Sequence, residues 1–541
     1  MDSKAYYGDF SVSADAPVLF EKSNERINLI SGLSQKIRAF ENIPDELCTD
    51  WYNCKADSIS LTDGVSAQKA DISDPAWFRF TGGGARSIIY DLGCVCAVDG
   101  ARVQALRDDS SAVKLPARIC VALSENGVDW QTVSELTFSC NEDKAIVESL
   151  VDLPKKYKAR FAKFSFSVTV HVFVGQLELF GRRNGDDASE IVPDKANDSD
   201  YPDVYCVSEQ LGAKDVLLAY FCLEGKEPIT KEIFLPHVAY MQDGEIKDTL
   251  FDGFLFLPYV AFLYKGYEKK PLTKEKWQWY IDQQFIDGYN MDALNEAAKE
   301  VGEKLGIKDF KLSVYMSILY PVTSVNEFGI VDGKNLDFSL LEDRKAGLKW
   351  FIDEQYARFN AKKYEYLDLK GYYWFTEEIN YNDSQLLELL RYTTDYVREM
   401  GLITTWIPYF HASGYDDWHH LGFDMACYQP NYAFNQNVPD VRLFDAASTA
   451  KLLGMCIELE SGGIQEWNIL RMKKYYAAGA ITGYMQNAAH MYYQGGVPGD
   501  YYTAYLSKDE NLHSMYEDTY KFIKGKFDPT TVEFKKEDLP K

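Results

Sequence analysis

Histidine is scarce in this chain, seven in 541 residues, and the scarcity bears first on metal chemistry. A catalytic zinc or iron is ordinarily held by two or three imidazoles, and no His cluster gathers where strands read as ending. The one suggestive group is His419-His420 beside Asp416-Asp417, near His411. Adjacent imidazoles on one loop share a tetrahedral ion poorly, so this stretch reads as a polar loop. No catalytic metal and no cofactor is expected. Positive charge is short as well: 57 Lys and Arg against 82 Asp and Glu leave a net charge of −25. That balance excludes a nucleic-acid partner, whose binding is driven by clustered cations. No Walker A pattern and no dinucleotide Gly-rich fingerprint occurs. No apolar run is long enough to span a bilayer, and the opening MDSKAYYGDF lacks the apolar core of a signal peptide. The chain as it stands is expected in the cytoplasm, or outside the cell if a leader has been removed, with no membrane partner. The oligomeric state leaves no mark in the sequence.

Ten cysteines are scattered, and Cys94, Cys120, Cys222, Cys427 and Cys456 lie inside apolar, strand-like runs. Reduced, buried thiols are expected. Cys94-Val95-Cys96 has the wrong spacing for a zinc knuckle.

What the chain has in quantity is aromatic surface: 38 Tyr and 10 Trp bring the aromatic fraction to 15%. Flat rings with a polar edge suit stacking on sugars, although a large β-rich protein carries many aromatics for its cores alone. With 46% hydrophobic and 26% charged residues the chain is globular, and its length implies two or three domains.

The composition divides the chain. From Arg182 to Asp203 it reads RRNGDDASEIVPDKANDSDYPD, polar, acidic and punctuated by Gly and Pro, which is linker chemistry. Three segments result: 1–183, a linker at 184–204, and 205–541. Before the linker, short alternating runs such as Ser87–Leu92, Arg118–Leu123, Phe161–Val168 and Val172–Phe180 are separated by turn residues. They predict an antiparallel β-sandwich. Leu61-Thr62-Asp63-Gly64, Tyr90-Asp91-Leu92-Gly93, the stretch Ala122–Trp130, Ala159-Arg160-Phe161-Ala162 and Leu177-Glu178-Leu179-Phe180-Gly181 follow one another in order. Over residues 40–183 this set resembles the discoidin, or coagulation-factor five/eight C-terminal, family. The resemblance implies a sandwich in which Trp130 packs in the core, and many relatives bind sugars through loops at one end.

After the linker, strand-length apolar runs alternate with helical periodicity. The strands are expected at Asp215–Phe221, Gly253–Pro258, Lys311–Leu319, Gly371–Thr376, Leu402–Pro408, Asp424–Tyr428, Gly454–Leu459 and Ile481–Gln486. Helices are expected at Lys274–Leu305, Leu340–Lys363, Ser384–Met400, Leu443–Leu453, Glu466–Ala478 and Asp509–Lys526. Eight repeats over this length predict an α/β (β/α)₈ TIM barrel rather than an open doubly wound sheet. In such a barrel chemistry sits at the C-terminal strand ends. Those ends lead here to Glu224, Tyr320, Glu377-Glu378-Ile379-Asn380, Tyr409-Phe410-His411, Gln429-Pro430-Asn431, Glu458-Leu459-Glu460 and Gln486-Asn487. Tyr492-Tyr493-Gln494-Gly495-Gly496 reads as an aromatic lid or a packed surface loop.

Acids ending two otherwise apolar strands cost desolvation unless a site uses them. Glu458 and Glu460 share a face by strand alternation. Helix N-capping is the structural alternative for any one of these glutamates, less so for both groups together. A carboxyl pair is the machinery of glycoside hydrolysis, and a glycosidase acting on an oligo- or polysaccharide or a glycoconjugate is the leading expectation. The expected general acid/base is Glu377, its proton kept by an apolar setting near Trp374 and Tyr373. The expected partner is Glu458, with Glu378 and Glu460 as substitutes. Trp374, Tyr320, Trp406, Tyr409, His411, Gln429, Asn431, Gln486 and Asn487 are expected to contact a carbohydrate substrate. A glycan-binding protein without turnover is the rival reading. Acids after strands four and seven resemble the large clan of retaining glycosidases, though Thr376 stands where that clan commonly has Asn. Phe251-Asp252-Gly253-Phe254, Gly371-Tyr372-Tyr373-Trp374 with Glu377, Tyr428–Tyr432 and Gly454–Glu460 make the second half similar to the domain-of-unknown-function family numbered 4855. That resemblance implies a bacterial barrel with sugar chemistry and names no substrate.

Overall fold

The computed structural model describes residues 18–39, 59–81, 85–192 except 117, 128, 169 and 170, and 203–259 except 223 and 224. It further describes 264–265, 268–269, 272–535 except 380–382, 384, 411, 413, 416, 417, 420 and 497, and residue 539. The chain forms two compact units. One holds residues 1–199 with the short segments 378–386 and 411–417, and the other holds the remainder.

The first unit is an all-β antiparallel sandwich. Its strands are β1 (Ile27–Asn28), β2 (Lys36–Ala39), β3 (Phe78–Thr81), β4 (Ala85–Asp108), β5 (Arg118–Ser124), β6 (Gln131–Thr137), β7 (Lys144–Ser167) and β8 (His171–Arg182). Strands β4 and β7 are each 24 residues long, far beyond the short runs that the alternation predicts. Their mutual register breaks between Asp91 and Cys96 and again between Val98 and Gly100. A bulge bends a strand and sharpens its twist. Before the breaks β4 pairs with β2 and the C-terminal half of β7, which in turn pairs with β5. After them β4 pairs with β8 and the N-terminal half of β7. Each long strand therefore serves both layers. The core between the layers includes Ile88, Tyr90, Val98, Val103, Val121, Phe164, Val174 and Leu177. Trp130 is not in it: the ring is half-buried at the surface, with the Lys163 ammonium 4.7 Å from its centroid. Among the described residues of this unit Trp77 is the buried tryptophan, at 2% exposure.

The second unit contains a closed, all-parallel eight-stranded barrel with helices, consistent with (β/α)₈. Its strands are β9 (Asp215–Phe221), β10 (Gly253–Pro258), β11 (Leu312–Ile318), β12 (Leu367–Trp374), β13 (Ile403–Trp406), β14 (Met425–Tyr428), β15 (Cys456–Glu460) and β16 (His490–Tyr493). Strand β16 closes the ring by pairing with both β15 and β9. Seven strands fall where apolar periodicity places them. The eighth does not. Residues 481–486 are helical: α7 (Glu466–Thr482) runs on to a left-handed cap at Gly483 (φ +89°), and a short helix covers Tyr484–Asn487. The strand comes later, at His490-Met491-Tyr492-Tyr493, and takes in the first two residues of the stretch read as an aromatic lid or loop. A six-residue apolar run looks the same in a buried helix and in a strand, and the register with β9 and β15 settles which it is.

The remaining described helices of eight residues or more are α1 (Lys231–Val238), α2 (Lys274–Gln284), α3 (Met291–Leu305), α4 (Leu341–Lys362), α5 (Leu386–Glu399), α6 (Val441–Leu452), α8 (Gly499–Leu506) and α9 (Glu510–Ile523). The single helix expected over 274–305 is two, separated by Gly288 (φ +78°) and Asn290 (φ +48°). Inside the barrel Val216, Leu218, Leu255, Leu257, Tyr315, Tyr373, Ile407, Met425, Cys427, Cys456 and Met491 form a packed core, so the barrel is filled and its chemistry is confined to the mouth. At the opposite end the Nδ1 of His490 lies 2.9 Å from Asp215, and the Tyr492 hydroxyl donates to the same carboxylate at 2.6 Å. Every described cysteine is a free thiol, and Cys94, Cys96, Cys206, Cys222, Cys427 and Cys456 are buried. Among the described residues no helix is long and apolar enough to cross a membrane.

Candidate active site at the barrel mouth

Strand β15 carries the central residue. Its burial is continuous from Cys456 to Glu460, and alternation turns Cys456, Glu458 and Glu460 to one face, while Ile457 and Leu459 face the helices. Cys456 belongs to the barrel core, which fixes that face as the interior. Glu458 is 3% exposed, and among the described residues no group donates a hydrogen bond to its carboxyl. Burial pushes its pKa well above the usual carboxylate range, and the negative charges of Glu460 and Glu377 push it further. Both causes favour the protonated form of this carboxyl.

Glu460, two residues on, is 1% exposed but hydrogen-bonded. The Tyr475 hydroxyl of α7 donates to Oε2, and the Tyr432 N–H donates to the same oxygen at 3.3 Å. Burial raises its pKa to about 7, offset in part by these donors and raised again by Glu377. Its work is to tie the loop after β14 to the end of β15.

Glu377 lies past the end of β12 and is exposed, as is Glu378. Two tryptophans hold the approach to it. The Trp374 indole N–H donates to the Thr376 hydroxyl at 2.6 Å, and the Trp406 indole N–H to the Thr376 carbonyl at 2.7 Å. Glu377 acts electrostatically on Glu458, Glu460, Tyr220, Tyr373 and Tyr493, and so belongs to the same mouth.

Aromatic rings line one side. Tyr220 from β9 and Tyr493 from β16 meet edge to face at 5.6 Å, as do Phe434 and Tyr493 at 5.7 Å, and Tyr259 is tilted against Tyr220 at 5.5 Å. Phe434 is 50% exposed. The Tyr493 hydroxyl is pushed up to about 12 by burial and by the charges of Glu458, Asp500, Glu377 and Glu460. Asp500, at the start of α8, accepts from the Ser461 hydroxyl at 2.6 Å.

The other residues expected to touch substrate divide differently. Trp374 and Trp406 are 2% and 0% exposed and face away from the interior. Trp374 packs on Tyr320, and Trp406 stacks on Phe423. They are core residues that position Thr376, not sugar platforms. Tyr320 is half-buried, with the Arg344 guanidinium 5.4 Å from its ring centroid, and Tyr409 is half-buried after β13. Gln429 donates to the Ile407 carbonyl at 2.9 Å, and Asn431, at φ +47°, accepts from the Phe410 N–H at 2.8 Å, so both knit the loops after β13 and β14. Gln486 and Asn487 precede β16 and lie at the N-terminal end of the barrel, away from the mouth. Their placement fails with the misplaced eighth strand. His411, Glu224, Asn380, Asp416, Asp417 and His420 lie outside the described residues. Tyr220, Tyr432, Phe434, Tyr475 and Asp500 join the site without being expected, and Tyr493 comes to it from the stretch read as an aromatic lid or packed loop. Tyr220 was within reach of alternation along Val216-Leu217-Leu218-Ala219-Tyr220, whereas nothing local marks Tyr475 in mid-helix.

The family described as Domain of unknown function (DUF4855) matches residues 215–521, more than half of the chain and the whole barrel. The chain belongs to that family. No curated protein matches the sequence. Among solved structures the chain is similar to CpGH89CBM32-6 produced by Clostridium perfringens, at 15% identity over 29% of this chain and 99% of that one, with a TM-score of 0.19. It is similar to a Streptococcus pneumoniae fucose binding module at 12% identity over 30% and 100% of the two chains, with a TM-score of 0.21. It is also similar to the C-terminal domain of a chitobiase from Bacteroides fragilis at 15% identity over 30% and 100%, with a TM-score of 0.20. Scores of that size carry no argument about what this family member does, which rests on the mouth of its barrel.

Proposed function

We propose that the family member hydrolyses glycosidic bonds, with Glu458 and Glu377 as the catalytic pair. The observation that carries this reading is Glu458: a residue 3% exposed inside the mouth of a barrel, whose carboxyl receives no hydrogen bond from any described residue. An unpaired buried polar group costs about 1–3 kcal/mol, and a protein retains that cost where the group works.

The two settings divide the roles in the sense opposite to the sequence expectation. Glu458, buried beside two other carboxyls, carries the proton and delivers it to the glycosidic oxygen as the bond to the anomeric carbon breaks. Glu377, exposed, is the ionised partner. It either attacks the anomeric carbon or takes a proton from the water that does. Trp374 does not shield Glu377, because its indole is turned away and spent on Thr376. The anomeric form of the first product, read by NMR, tells attack from water activation.

Glu458→Gln and Glu377→Gln are each expected to lower turnover of a cleavable glycan at least about a thousandfold with the circular dichroism unchanged. Near-normal turnover in both variants overturns the assignment. Binding without cleavage by the unaltered protein replaces the hydrolase with a glycan receptor.

A further inference from the structure

A phenol buried in the middle of a helix is ordinarily core, and Tyr475 on α7 is fully buried. Its hydroxyl is spent otherwise. It donates to Glu460 Oε2 and accepts from the Tyr432 N–H at 3.3 Å. The ring is held in place, since the Tyr484 hydroxyl donates to the Tyr475 carbonyl and the Tyr432 ring meets it edge to face at 5.5 Å. Tyr432, the second donor to Glu460, is pinned by the same helix. Arg471 donates to its carbonyl and lies 3.9 Å from its ring centroid. The Tyr432 hydroxyl donates to Asp440, which also accepts from Lys474 at 2.6 Å. Residues 471, 474 and 475 share one face of α7 by their spacing. That face therefore delivers two fixed donors to Glu460, and no described residue donates to Glu458.

The two carboxyls are neighbours by construction. Strand alternation sets residues 458 and 460 on one face, with their Cα atoms roughly 7 Å apart. Two like charges at that separation inside a protein disfavour one another by about one to two pH units. Such a pair loses its first proton from the carboxyl whose ionised form is hydrogen-bonded, and the second proton is then held more tightly. Donors on one member alone thus choose the site of the remaining proton. The negative charge of Glu460 favours protonation of Glu458, in keeping with this order.

We propose that the Tyr475 hydroxyl positions the proton of this pair: by donating to Glu460 it seats the negative charge there and leaves the proton on Glu458. The inference rests on the glycosidase reading for the proton's use, while the proton's place is read without turnover. The titratable groups facing the pair are Cys456 on the same strand, Tyr220, Tyr373, Cys427 and Tyr493 on other strands, Glu377 after β12, and Tyr501 on α8. All of them are kept in Tyr475→Phe.

Infrared difference spectra of the full chain, taken across a pH titration, follow the C=O band of each protonated carboxyl. The band lost in Glu458→Gln belongs to Glu458, and the band lost in Glu460→Gln to Glu460. In Tyr475→Phe the Glu458 band is expected to vanish about one pH unit lower than in the unaltered protein, while the Glu460 band persists to higher pH. The alkaline limb of kcat should move down with the Glu458 band. Combining Tyr475→Phe with Glu460→Gln should move that band no further than Glu460→Gln alone. Fluorinating the Tyr475 ring keeps its packing and strengthens the donor, so it should move the Glu458 band to higher pH even if Tyr475→Phe fails to fold. A tyrosine that serves only packing would alter melting and leave the bands in place. Unmoved bands, or shifts that add in the combined variant, overturn the inference. Unmoved bands with normal glycan turnover sink it and leave the hydrolase standing. Moved bands in a chain that cleaves no glycan uphold the proton's place and sink the hydrolase.

Discussion

Glu458 and Glu460 are two residues apart on one face of one strand, and their surroundings give them opposite meanings. Hydrogen bonds from Tyr475 and Tyr432 make Glu460 a structural anchor, whereas no described residue donates to Glu458. Replacing Glu458 by Met, which keeps the length and removes the desolvated carboxyl, is expected to raise stability by about 1–3 kcal/mol while abolishing turnover. Urea denaturation checks this, and a loss of stability would show that the carboxyl serves the fold. The charge coupling also sets a pH profile. Glu458 must be protonated to act, so activity falls as pH rises through its raised pKa. The groups facing it are Glu460, Glu377, Cys456, Cys427, Tyr220, Tyr373 and Tyr493. Glu460→Gln removes one negative charge, makes ionisation of Glu458 easier, and should move the alkaline limb of kcat to lower pH. An unmoved limb would mean that the two carboxyls do not interact.

At the scale of elements, the end of β12 and the boundary of α7 decide where the site can be. Thr376 is held through both its hydroxyl and its carbonyl by indoles from β12 and β13, which places Glu377 one peptide beyond a fixed point. Trp406→Phe keeps the stacked packing on Phe423 and deletes the donor. It should lower kcat severalfold with little change in KM, and a pure KM effect would assign Trp406 to substrate instead. Helix α7 stops at Gly483, whose φ of +89° penalises any side chain. Gly483→Ala is expected to cost about 1 kcal/mol in a denaturation series. No cost at all would mean that the helix end is free to readjust.

For the molecule as a whole, the two ends of the barrel are specialised. The mouth tolerates an unpaired carboxyl, while the base is cross-braced by Asp215, Asp252, His490 and Tyr492. Asp252 accepts the N–H groups of Lys214 and Asp215 at 2.8–3.1 Å, and burial with the Asp215 charge pushes its pKa up to about 6. A carboxyl whose pKa is higher folded than unfolded binds its proton more tightly in the native state. Its contribution to stability is therefore greatest at low pH and is lost as pH rises from about 4 to about 6, a swing of about 3 kcal/mol at most. Asp252→Asn should flatten that part of the stability curve for the barrel transition, and an unchanged slope between pH 4.5 and 7 would assign the dependence to other groups.

The sequence by itself determined the barrel, because seven of its strands bury both faces and read as apolar runs between amphipathic helices. It also determined which strand ends carry acid, since Glu458 and Glu460 close one apolar run and Glu377 follows another. The eighth strand was not legible: Ile481–Gln486 and His490–Tyr493 are both short apolar runs, and only pairing with β9 and β15 chooses between them. Trp374 and Trp406 looked like sugar platforms because alternation gives a face but not which face points inward, and the core around Tyr373 decided that. Which of two adjacent acids keeps its proton was likewise beyond the sequence. A carboxyl's pKa follows from the groups brought around it, and Tyr475, 15 residues away along a helix, is what sets Glu460 apart from Glu458.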